Sequence, residues 1–134
     1  VGGLMGRSVD GLTPFQQGPA VAPKSRHAAV WIEQDTLHLF YSRAEDTPER
    51  ILVTRIDLLR PWKQWTTTQE EVVLEPERVW EGACLPRQVS RWGAARTPVH
   101  QLRDPAIYVE DDDLYLLYGG AGETNLAIAR LHLK

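Results

Sequence analysis

A single cysteine, Cys84, leaves no possibility of an intrachain disulfide and makes a reducing compartment the expected setting. Flanked by Ala83 and Leu85, its thiol reads as a small buried hydrophobe rather than a nucleophile. Basic residues are not in excess: 15 Lys and Arg face 18 Asp and Glu, a formal net charge of −3, which argues against a general nucleic-acid binder. No apolar run reaches the roughly 18 residues that span a bilayer, and no charged-then-apolar leader opens the chain. A soluble, cytoplasmic protein is expected. Secretion stays open, because Val1 reads as a trimmed or unusual start. No cofactor is expected and no metal site either: Asp111, Asp112 and Asp113 lack the ligand spacing and glycine of a calcium loop and read as a solvated turn.

What the chain does have is a repeat. Arg26 to Leu58 and Arg103 to Leu133 align at an offset of 77, which superposes Ala29 on Ala106, Glu33 on Glu110, Leu37 on Leu114, Leu39 on Leu116 and Tyr41 on Tyr118. After a slip of two, Arg55 meets Arg130, Ile56 meets Leu131 and Leu58 meets Leu133. Within the later copy, Ala106 to Val109 is a short apolar run suited to a strand covered on both faces. The acidic triplet supplies a turn, Leu114 to Tyr118 returns, Gly119, Gly120 and Gly122 break the strand, and Leu126 to Leu131 makes a third. Several short strands per copy, each copy too small to bury its own apolar faces, predict a propeller or a stacked array.

The expected fold is therefore all-β: a partial β-propeller of about two to two and a half antiparallel four-stranded blades, completed by oligomerisation. Residues 1–25 read as the tail of a preceding blade with a linker, 26–75 as a full blade, 76–102 as a long loop and 103–134 as most of a further blade. Glu70 to Leu74 is the outer fourth strand of the full blade, and Trp62 and Trp65 are core anchors rather than a sugar-stacking pair. The stretch from Arg87 to Gln101 has no period. Long structureless loops in small domains are more often functional than idle.

Three phrases resemble the five-bladed β-propeller glycoside hydrolases, the group of the arabinanase and β-xylosidase family, the invertase-like enzymes and the mannoside phosphorylase relatives. Arg103-Asp104-Pro105-Ala106-Ile107 is similar to the Asp-Pro start of an innermost strand. Arg7-Ser8-Val9-Asp10-Gly11-Leu12-Thr13-Pro14-Phe15 resembles a phrase that follows a third strand. Trp80-Glu81-Gly82-Ala83 resembles the Glu-Gly element that carries the general acid.

The resemblance implies an axial acidic pocket that binds or hydrolyses glycosidic substrates, with Glu81 and Asp104 as catalytic candidates and Arg103, His27 and Arg26 as ligand-binding candidates. Cleavage needs two carboxyl groups in different protonation states within one pocket. The third carboxylate of the family pattern has no match, and His27-Ala28 stands where the earlier copy would repeat Asp104-Pro105. Each candidate also has a plainer role: Asp104 tying its strand start to backbone N–H groups, Glu81 as a loop acid or an arginine's partner, Arg103 as the counter-charge of Glu81. The alternative to a hydrolase is a non-catalytic carbohydrate-binding or self-assembling module. The partners expected are a second copy of the chain, with a dimer favoured, and a carbohydrate.

Overall fold

The computed structural model describes residues 2–132, so the Leu58 and Leu133 match falls outside the described residues, as do Val1 and Lys134. The architecture is all-β and antiparallel. A hairpin of β1 (Leu4–Arg7) and β2 (Gln16–Ala20) comes first. A four-stranded sheet follows in the order β3 (Ser25–Glu33), β4 (Thr36–Arg43), β5 (Ile51–Asp57) and β6 (Glu71–Leu74). A three-stranded sheet of β7 (Arg103–Glu110), β8 (Asp113–Gly120) and β9 (Asn125–Leu131) completes it. Among the described residues no helix is long and apolar enough to cross a membrane.

Pairing registers carry the sequence repeat into space. Glu33 pairs with Thr36 and Glu110 with Asp113, so both hairpins turn on two residues, and Gln34 and Asp111, 77 apart, both have positive φ. The register shifts between Ser25 and Ala28 in one copy and between Arg103 and Ala106 in the other, so each strand opens with a bulge. Thr36 opposite Asp57 and Leu114 opposite Leu131 show where the slip of two occurs: the β4–β5 loop is longer than the β8–β9 loop.

Alternation along each strand decides which face packs where. Leu37, Leu39, Tyr41, Leu52 and Ile56 cover Val21, Ala22 and Met5 beside the N-terminal hairpin. Trp62 is buried, edge-on to Trp65 and against Gly18, where a methyl group would strike its ring. Ile51, on the opposite face of the first sheet, joins Leu102, Leu116 and Tyr118 in a second core cluster, so the two sheets pack on each other. The far face of the second sheet stays open. Tyr108, Leu126 and Ile128 are exposed there and Tyr115 and Leu117 are half-buried, so β7 is covered on one face rather than on both as its apolar run predicted.

Candidate functional site

The bulged starts of β3 and β7 lie beside one another, and at each the chain presents two consecutive residues in contrasting surroundings. Arg26 and Arg103 are buried, with side chains 7% and 3% exposed, whereas His27 and Asp104 are 64% and 34% exposed. Both arginines reach Oε2 of Glu49, Arg26 at 3.3 Å and Arg103 at 3.2 Å, and both donate to the Gly93 carbonyl. Arg103 also donates to Gln101 Oε1 at 2.6 Å and to Glu123 Oε1 at 2.8 Å. Glu49 is fully buried. Burial works against the charge of its carboxyl, and Ser42 and the two guanidiniums pull the other way.

In front of this network the imidazole Nδ1 of His27 pairs with Oδ1 of Asp104. These residues hold equivalent repeat positions 77 apart, and sheet packing brings the equivalents into contact. Asp104 has φ +54, a left-handed conformation that aspartate tolerates better than most residues but that still costs energy. Beside it a cleft of about 330 Å³ is lined by Asp104, Gly119, Glu123, Thr124, Asn125 and Leu126. Burial opposes the charge of Glu123, but the Ala95 N–H and Arg103 outweigh it and hold the carboxyl below its usual range. Asn125 donates to the Trp80 carbonyl at 2.8 Å, which sets half-exposed Trp80 near the cleft.

Glu81 stands apart from this group. Its side chain is buried, with Oε2 accepting the backbone N–H groups of Glu77 and Arg78 and Oε1 accepting the Tyr118 hydroxyl at 2.6 Å. It caps its own short 3-10 turn, Val79–Glu81, and is neither a solvated loop acid nor the partner of Arg103, whose carboxylates are Glu49 and Glu123. Gly82 follows at φ +86 with the Val99 carbonyl 2.4 Å from where a Cβ would sit, so the Glu-Gly phrase has a folding reason. The cleft beside Asp104 does not include Glu81.

Of the five residues singled out from sequence, Arg26, His27, Arg103 and Asp104 come together and Glu81 does not. Asp104 is tied to His27 rather than to the backbone of its strand start. Cys84 is exposed rather than buried, because the segment is buried at Glu81 and Gly82 and has turned to the surface by residue 84, where Ala83 and Leu85 are themselves only half-buried. Sequence reasoning missed Glu49 altogether. Its signal was positional, because it sits in the extra length of the β4–β5 loop. Among the described residues no three His, Cys, Asp or Glu side chains converge as a metal site requires.

No protein-family model matches the chain, and no solved structure matches it. Among curated proteins it is similar to "Uncharacterized protein R118" of Acanthamoeba polyphaga mimivirus, 38% identical over 107 residues, an alignment that covers 79% of this chain and 30% of that protein. The chain thus spans about 30% of the length of the curated relative it matches.

Proposed function

We propose that the two sheets are consecutive blades of a β-propeller related to the glycoside hydrolases, and that the chain binds carbohydrate at the seam between their innermost strands. What carries the ligand reading is the open His27–Asp104 pair at the mouth of the 330 Å³ cleft that Glu123, Thr124 and Asn125 help to line. Closely set acceptors and donors of this kind suit vicinal hydroxyl groups, and Trp80 offers an apolar face nearby.

Binding is favoured over hydrolysis. A glycosidase needs one carboxyl that holds a proton and one that does not in the same pocket. Glu81 has both oxygens engaged elsewhere, and Glu123, which does share the cleft with Asp104, is held ionised. Calorimetric titration with arabino-, xylo- and manno-oligosaccharides tests this. Binding without cleavage that weakens at least about tenfold in D104N and is unchanged in E81Q is expected. Loss of binding in E81Q but not in D104N would overturn the assignment.

The open face of the second sheet supports ring completion by a second copy. Ala106, Tyr108, Tyr115, Leu117, Leu126 and Ile128 are the repeat equivalents of Ala29, Trp31, His38, Phe40, Ile51 and Val53, the face of the first sheet that receives the second. In turn, Val30 and Ile32, both more than half exposed, are the equivalents of Ile107 and Val109. The existing sheet-to-sheet interface thus has a continuation from the Tyr108 face of one copy onto Val30 and Ile32 of the next, the edge of that face which the N-terminal hairpin leaves open, in a head-to-tail contact that closes into a ring or runs on as a filament. Light scattering at low micromolar protein should report a dimer or larger closed species, shifted to monomer by I128K. A monomeric parent would refute it.

A further inference from the structure

A second cavity, of about 290 Å³, lies inside the long loop next to the Asp104 cleft, and Arg91, Arg96 and Arg103 line it without any carboxylate among the lining residues. In a chain of net charge −3 this is a local reversal of sign. The charge of Arg103 is matched from behind by Glu49 and Glu123. Arg91 and Arg96 form no ion pair among the described residues, so two guanidiniums keep their charge available to the cavity.

The loop that carries them is fastened rather than free. The Arg91 and Gly93 carbonyls accept from Arg26, the Ala95 N–H donates to Glu123, and the Ser90 N–H donates to the Asp46 carbonyl. Half-exposed Trp92 lines the same cavity and offers a flat apolar surface. The size is at the lower end of small-molecule sites, which run from roughly 300 to 1,000 Å³. That suits one ring with one charged group.

The Arg103–Glu123 pair is the wall between the two cavities, since Arg103 lines one and Glu123 the other. We infer that the ligand is an acidic glycan, with a uronate carboxylate held by Arg91 and Arg96, its ring against Trp92, and the neighbouring hydroxyl-rich unit in the Asp104 cleft. Guanidinium forks match a carboxylate in two-point geometry, and Trp92 gives the sugar ring a surface that a bare inorganic anion would not need. This inference rests on the carbohydrate reading above.

The test is titration of the full chain with a galacturonate trimer and with its neutral galactose counterpart. The acidic trimer should bind about tenfold more tightly. That preference should disappear in R91Q/R96Q, with affinity for the neutral trimer unchanged, and should shrink as salt rises from roughly 50 to 500 mM. Equal affinities for the two trimers would overturn the inference and leave the carbohydrate reading standing. Failure to bind either trimer would also overturn the inference, and the carbohydrate reading would then stand or fall on the arabino-, xylo- and manno-oligosaccharide titrations. Displacement of the acidic trimer by low-millimolar inorganic phosphate would assign the cavity to a phosphate ester and overturn the uronate.

Discussion

Replacing Glu49 by glutamine tests the electrostatic centre of the seam. The amide can keep the 2.7 Å bond from Ser42, so the change removes charge more than shape. Arg26 then has no carboxylate within reach among the described residues and keeps only the Arg91 and Gly93 carbonyls, while Arg103 retains Glu123. Removing one partner of a buried ion pair typically costs about 3–5 kcal/mol. Because one of the two arginines is still compensated, the lower end applies, about 3 kcal/mol. For a chain of this size that is a fall in Tm of roughly 10 °C, to be read by urea unfolding and calorimetry. Adding R26M removes the stranded charge, so the double variant should be more stable than the sum of the single losses by about 1–2 kcal/mol. An E49Q protein within about 0.5 kcal/mol of the parent, or strict additivity in the double variant, would refute the argument. It would mean that Glu49 keeps its proton when folded and that the carbonyls alone hold the arginines.

Other expectations follow from the same geometry. Y118F strands Glu81 Oε1 in the interior and should cost about 1–3 kcal/mol while leaving glycan affinity unchanged, since neither group lines the cleft. G82A forces a side chain into a left-handed position against the Val99 carbonyl and should lower stability by at least about 2 kcal/mol, seen as a reduced denaturation midpoint. Burial works against the charge of both Glu70 and Glu123 but is outweighed, at Glu70 by Tyr41 and Arg43 and at Glu123 by Ala95 and Arg103, so both titrate below the ordinary 4.5. Their contribution is therefore present above pH 4.5 and lost as pH falls through their folded values.

The strands of both sheets were legible because alternation and repetition agree. The aligned pairs Leu37/Leu114, Leu39/Leu116 and Tyr41/Tyr118 all fall on faces that pack inward, and the slip of two is a difference in loop length. Half of the candidate site was legible as well, in Arg26-His27 and Arg103-Asp104. Their contact was not, because an alignment marks equivalent positions without saying that equivalents at the edges of neighbouring sheets meet. Glu81 misled for a different reason: a glutamate before a glycine that closes a 3-10 turn has the same appearance as one before a glycine in a catalytic loop. The 87–101 stretch has no period because side chains of other segments hold it, arginines on the Arg91 and Gly93 carbonyls and Glu123 on the Ala95 N–H. Bonds of that kind write no pattern into the segment they fasten.

The bulges at the two strand entries separate duties that most positions must combine. In each copy the first residue of the pair is an arginine spent on internal cohesion, and the second is the more exposed of the two. The two copies agree at the first position and differ at the second, histidine in one and aspartate in the other. The first sheet therefore carries an exchangeable fitting on a mount that both sheets share. A lineage could retool what the seam recognises by exchanging residue 27 alone, with the scaffold's integrity vested one residue earlier, while the left-handed backbone at residue 104 narrows the choice there to aspartate, asparagine or glycine.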